Sequence, residues 1–196
     1  MSYNNIKNAA LRLFSTKGFE GTTVREIASE SGLKPSSIYS HITNKEDLFI
    51  MIWNECIQNT FKSVADIALQ IENNALYDPE KILYTYYIRV INHFTKNRND
   101  YLFLKQAIFF TKSKDILNKV QIKDFLNDDA IFEYFSKFFI QLQKDGLILG
   151  IDHKALCLSY LGIMIACLEE DLIYNIKFNN SHINTLWHIF WKGISQ

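Results

Sequence analysis

Apolar residues recur at helical spacing along most of this chain, and little interrupts them: 196 residues contain 7 glycines and 2 prolines. Ile6, Ala9, Ala10, Leu13 and Phe14 fall at i, i+3, i+4, i+7 and i+8, one stripe of an amphipathic helix. A sandwich needs many tight turns, and with them more glycine and proline than this, so an all-β chain is disfavoured. No convincing strand pair, internal repeat or low-complexity tract is present. The expected fold is all-α, a three-helix head with a helix-turn-helix followed by a larger C-terminal helical bundle.

Hydrophobic residues at 48% and charged residues at 21% exclude a disordered chain, because this much apolar surface offsets the entropy of ordering. Aromatics reach 14%, with 15 Phe and 10 Tyr, so the core is expected to be rich in rings. Twenty-one Lys and Arg balance 21 Asp and Glu, which excludes a polybasic protein. The balance hides a tilt. Residues 1–45 carry six bases (Lys7, Arg12, Lys17, Arg25, Lys34, Lys45) against three acids (Glu20, Glu26, Glu30), the sign expected of a segment that meets a polyanion.

The three cysteines, Cys56, Cys157 and Cys167, are odd in number and far apart. They show neither metal spacing nor a disulfide framework, so no metal and no cofactor are expected, and a reducing cytoplasm fits best. The N-terminus has no basic start followed by an apolar stretch, so no signal peptide is expected. The most apolar run, Ala155 to Leu168, is too short to span a bilayer and reads as a buried helix. No nucleophile elbow, phosphate loop or catalytic carboxylate pair is present, and an enzyme is not expected.

Punctuation divides the chain. Gly18 stops the first helix, and Thr23-Val-Arg-Glu26 reads as a capping box that opens a second one running to about Ser31, where Gly32 breaks it. Pro35 suits the first turn of a short third helix with Ile38 and Ile42 on its apolar side. Asn44 caps a long fourth helix, expected to run to about Asn73-Asn74. Asp78-Pro79 starts a helix to about Lys96. Further helices are expected near 99–112, 114–121 and 128–145, from Asp152 to about Phe178, and over about 182–194. Leu147-Ile-Leu149 reads as an extended connector.

Two short helices joined by a tight glycine turn let the second project from the surface, where it can reach base edges in the major groove. That helix offers Lys34, Pro35, Ser36, Ser37, Tyr39, Ser40 and His41, a polar and donor-rich set. Lys45 follows at the next helix start, where a cation and free amides together suit a phosphate. Local alternatives exist: Tyr39 as a core aromatic, Ser36 and Ser37 as solvent-facing filler, and Arg25 paired only with Ser29 or Glu30.

The run from Thr22 to Phe49 resembles the DNA-binding domain of the TetR family of bacterial transcriptional regulators. Thr-x-x-x-Ile-Ala, the turn glycine, Tyr-x-His and Asn-Lys-Glu-Asp-Leu match in order and spacing, as do the upstream Ala-Leu-x-Leu-Phe and Lys-Gly-Phe-Glu-Gly. The likeness covers about residues 3–50. It implies that Thr23, Tyr39, His41 and Lys45 contact phosphates, and that Arg25, Pro35, Ser36, Ser37 and Ser40 face bases. It departs at Lys34, where a capping Ser or Thr is frequent, at Ser36, which replaces a small Gly or Ala, and at Ile42, which replaces Phe.

The resemblance also implies a DNA-binding domain over 1–46 and a ligand-binding and dimerisation domain over 47–196. The expected protein is a cytoplasmic homodimer on a near-palindromic double-stranded operator, most often a repressor, released by a small effector. One recognition helix makes few base contacts, each contributing about 1–3 kcal/mol, and two copies on a two-fold axis double them. The implied dimer contacts lie in about 125–145 and 153–176. A ring-rich lining suggests an apolar or aromatic effector held by Tyr86, Phe103, Ala107, Phe110, Phe135 and Tyr160. The rivals are an activator or global DNA-binding protein without small-molecule control, a helical enzyme, and a protein-binding adaptor.

Overall fold

The computed structural model describes residues 3–72, 78–110, 116, 130–174, 176 and 179–196, without the side chains of 61, 71, 72, 109, 110 and 130. Among the described residues the helices are α1 (Tyr3–Lys17), α2 (Val24–Glu30), α3 (Pro35–Ile38), α4 (Lys45–Glu72), α5 (Pro79–Lys96), α6 (Arg98–Phe110), α7 (Ala130–Lys144), α8 (His153–Leu172) and α9 (Asn180–Ile194). Extended pairing among them is limited to one isolated antiparallel bridge, Ile148 to Ser195, where the Leu149 N–H donates to the Ile194 carbonyl at 2.7 Å. The chain is all-α, and the 147–149 connector tacks onto the chain end.

The described residues fall into two compact units, Met1–Ser63 with Asn97–Leu126, and Val64–Lys96 with Asn127–Gln196. In the first unit the stripe read from the sequence is buried: Ile6, Ala9, Ala10, Leu13 and Phe14. It meets Ile27 and Ala28 of α2, Ile38 of α3, Leu48, Phe49, Ile52 and Trp53 of α4, and Phe103, Leu104 and Ala107 of α6. Phe14, Phe49 and Phe103 pack edge-on, with centroids 5.1 Å apart in both the Phe14–Phe49 and Phe49–Phe103 pairs.

The second unit contains α5, α7, α8 and α9. Its centre is Tyr160, fully buried, with Phe135 at 4.9 Å, Phe190 at 5.6 Å and Phe139 at 5.9 Å. Its hydroxyl donates to the Leu83 carbonyl at 2.6 Å, so burial leaves no orphaned polar atom there. Tyr87 likewise donates to the Ile183 carbonyl at 3.1 Å and sits 3.2 Å from Cys167 Sγ.

Two expectations need correction. The helix expected to reach about Phe178 ends at Leu172, where the carbonyls of Glu169 and Glu170 accept from Tyr174 and Ile176 and close the last turn. The apolar run inside it is also not wholly buried. Leu156, Cys157, Tyr160, Met164, Cys167 and Leu168 face the core, while Leu158 is 65% exposed and Ile165 45%. A helix apolar all round needs cover on every face, and this chain covers one. The expected 114–121 helix lies outside the described residues except for buried Ile116, as do Asn73-Asn74.

Candidate nucleic-acid interface

The interface is built from its caps. Thr23 has extended backbone and starts α2 with both halves of the capping box: the Glu26 amide donates to Thr23 Oγ1, and the Thr23 amide donates to Glu26 Oε2 at 2.8 Å. At the other end Gly32 adopts φ 76°, with Leu33 N–H donating to the Ala28 carbonyl at 2.8 Å and Gly32 N–H to Ser29 at 3.1 Å. That double bond pattern with a left-handed glycine turns the chain sharply enough to launch α3. Lys34 caps α3 without a side-chain hydrogen bond, and Pro35 fills its first position.

On α3 and the turn after it, Ile38 and Ile42 are buried, while Lys34, Pro35, Ser36, Ser37, Tyr39, Ser40 and His41 are exposed. Tyr39 is 61% exposed, which rules out the core-aromatic alternative. Arg25 is exposed, and its expected partner Glu30 is taken by Arg12 at 2.7 Å. Among the described residues Arg25 makes no ion pair.

Hydrogen bonding sorts the ten expected contact residues further. Thr23 Oγ1 donates to Glu26 Oε2 at 2.8 Å, and Ser40 Oγ donates to the Ser37 carbonyl at 2.7 Å, so those two hydroxyl protons are already placed. Among the described residues, the side chains of Arg25, Lys34, Ser36, Ser37, Tyr39 and His41 keep their donors uncommitted. Lys45 does not. Its Nζ donates to the Phe19 carbonyl at 2.8 Å and the Thr22 carbonyl at 2.9 Å, and lies 4.0 Å from the centre of the Phe19 ring. Burial pushes its pKa below the usual lysine value.

Charge is also rearranged. Lys7 pairs with Glu55, Arg12 with Glu30 and Lys17 with Glu26. The bonds from Lys17 and from the hydroxyl and amide of Thr23 hold the Glu26 carboxyl down to about 2. The two acids of α2 are thus neutralised by α1, and the positive tilt of the segment rests on Arg25 and Lys34, with Lys45 turned inward. Sequence reasoning missed these pairs because their partners stand 9 to 48 residues apart.

The expected effector residues divide between the units. Tyr86, Phe135 and Tyr160 come together, with Tyr86 and Phe135 centroids 4.8 Å apart. Phe103 and Ala107 lie in the core of the first unit, and the side chain of Phe110 is outside the described residues. Beside Tyr86 and Phe135 a cavity of about 10 Å³ is lined also by Ala68, Ile82, Leu83, Tyr134 and Phe138. The other ring positions that matter there, Tyr134 and Phe138, were not among the expected lining residues. They sit on α7 beside Phe135, and the helical period of that stretch was the available signal.

Comparison with known proteins agrees with this geometry. Residues 6–52 match the family described as bacterial regulatory proteins, tetR family. The biofilm operon negative transcriptional regulator IcaR of Staphylococcus epidermidis is 27% identical over 153 residues, 74% of this chain and 75% of IcaR. Two solved structures share the fold: the ketosteroid regulator KstR2 of Mycobacterium tuberculosis (TM-score 0.73, 14% identity, 99% and 95% of the two chains) and FadR of Bacillus subtilis in complex with stearoyl-CoA (TM-score 0.66, 16% identity, 98% and 99%). Among the described residues no helix is long and apolar enough to cross a membrane. Residues 6–52, which hold the capped helix-turn-helix, thus match the DNA-binding region of the tetR family of bacterial regulatory proteins, and the chain as a whole shares the fold of these solved regulators.

Proposed function

We propose that this protein is a homodimeric, cytoplasmic repressor that binds a near-palindromic operator and is released by a small apolar or aromatic effector. The observation that carries the DNA-binding part is the exposed donor set of Arg25, Lys34, Ser36, Ser37, Tyr39 and His41, beside an α2 whose two acids are paired. The head over 1–46 would supply the DNA contacts and 47–196 the dimer and effector sites, with α4 contributing residues to both compact units. IcaR, described as a negative regulator, supports repression, and FadR with stearoyl-CoA supports an apolar effector. No catalytic step belongs to this reading.

The dimer is supported by α8 and α9. Leu158 and Ile165 on α8 and Ile189 on α9 are exposed large apolar side chains, and an apolar groove runs between the helices past Ala155, Ser159, Ile163, Leu186 and Gly193. Such a surface on a soluble chain marks a contact. This surface adds 180–194 to the contact ranges implied by the resemblance, about 125–145 and 153–176.

A second reading, a DNA-binding regulator without small-molecule control, is favoured by the ring cluster. A cavity of 10 Å³ is room for about one water molecule, so an effector bound at the ring cluster must displace Tyr86 or its neighbours. Selection of duplex DNA by the purified protein, repeated across salt, tests the first part. A palindrome bound by a dimer with affinity falling steeply in salt is expected. No binding even at low salt overturns it. Melting shifts with apolar and acyl-chain ligands separate the two readings, since only the effector-controlled protein is stabilised.

A further inference from the structure

Lys45 occupies a place where a cation beside free helix amides suits a phosphate, yet its ammonium points into the protein. Two of its three N–H bonds end on the Phe19 and Thr22 carbonyls, at 2.8 and 2.9 Å, and the Phe19 ring lies 4.0 Å away. Those carbonyls belong to the loop between α1 and α2. Thr22 is itself buried, its hydroxyl donating to the Gly18 carbonyl at 2.8 Å, and it directly precedes the capping residue Thr23. Lys45 opens α4, immediately after the turn that follows α3. One side chain therefore ties the entry of α2 to the exit from α3.

We infer that Lys45 is a positioning residue for DNA binding, fixing the helix-turn-helix from both ends, and does not contact phosphate. The inference rests on the proposed DNA-binding reading. A charge-assisted bond to a carbonyl is stronger than a neutral one, and two of them converging on one loop restrain it more than a surface ion pair would. Lys34, exposed at the start of α3 and without a side-chain cap bond, is the contrasting case of a cation free to reach DNA.

The test compares Lys45→Met, which keeps the apolar stem over Phe19, with Lys34→Met, on a duplex selected by the full-length wild type. Loss of charge-assisted bonds predicts that Lys45→Met weakens binding by about 10-fold or more. The slope of log affinity against log salt should stay at the wild-type value, because no phosphate contact is removed. Lys34→Met should lower that slope by about 0.9, the value of one released counterion. A slope lowered by about 0.9 in Lys45→Met overturns the inference, as does unchanged affinity.

Lysine acetylation of the wild type supplies a measurement independent of any variant's folding. Lys45 should react slowly both free and on DNA, whereas Lys34 should react when free and be shielded on DNA. Lys45 reactive when free and shielded only by DNA overturns the inference. Wild type that selects no duplex overturns the DNA-binding reading and takes the role of Lys45 with it. Wild type that binds while Lys45→Met binds equally well overturns the positioning role alone.

Discussion

At the residue scale, the contact face separates side chains that hold the head together from those left for DNA. Ser36 and Ser37 keep free hydroxyls on the exposed side of α3, and Ser40 does not. Replacing Ser36 and Ser37 together by Ala should therefore alter the preferred operator bases, with a cost of about 1–3 kcal/mol per lost base contact and no change in melting temperature. Selection of duplexes by the double variant checks this. Glu26 makes a second, pH-dependent prediction. Its folded pKa, near 2, lies below the usual 4.5, so the unfolded chain binds the extra proton first. The stabilisation is full above about pH 4.5 and is lost as pH falls toward 2. Glu26→Gln should be less stable at neutral pH and lose part of the acid sensitivity in that window, read by melts at graded pH. The residues legible from sequence were those whose role depends on near neighbours, such as Thr23, capped by Glu26 three positions on. Lys45 was legible as a helix-start cation, but its partners lie 23 and 26 residues back, and only folding brings them near.

At the element scale, the short helices of the head depend on their ends. A four-residue helix such as α3 has little stability of its own, because nucleation is costly, and the preceding turn must deliver it in place. Gly32 makes that turn at φ 76°. Gly32→Ala forces a Cβ into the left-handed region at a cost of about 1–2 kcal/mol. It should lower the denaturation midpoint and weaken DNA binding more than an equally destabilising change in α9, which denaturant titration beside a binding assay will show. Asp152 and Asn179 cap α8 and α9 through the Ala155 and His182 amides, and both starts follow from side-chain chemistry within three residues. The end of α8 was not readable in the same way. No glycine or proline marks Leu172, and the stop is made by backbone bonds back to Glu169 and Glu170.

At the scale of the whole molecule, exposed and buried apolar surface decide assembly. Ile189 is 64% exposed on α9 and lines the groove shared with α8, so Ile189→Glu places a charge where the proposed dimer buries apolar surface. Sedimentation should show a shift to monomer, and operator affinity should fall because two half-sites are no longer read together. Helical content should be retained, since the side chain lies outside the core of the chain. An unchanged dimer would move the interface elsewhere.

By itself the sequence determined the all-α class, the helix starts, the turn glycine and the identity of the exposed face on α3. These depend on the 3.6-residue period and on caps within about three residues, and such local rules act before any long-range contact forms. The tertiary structure alone decided that Glu26 and Glu30 are neutralised by α1, that Lys45 faces the 19–22 loop, and that Tyr86, Phe135 and Tyr160 meet while Phe103 joins another core. Each of those outcomes pairs residues apart along the chain, 26 apart where Lys45 meets Phe19. Charge, hydrogen bonding and ring packing are governed by distance in space, and that distance is set only when the helices have packed.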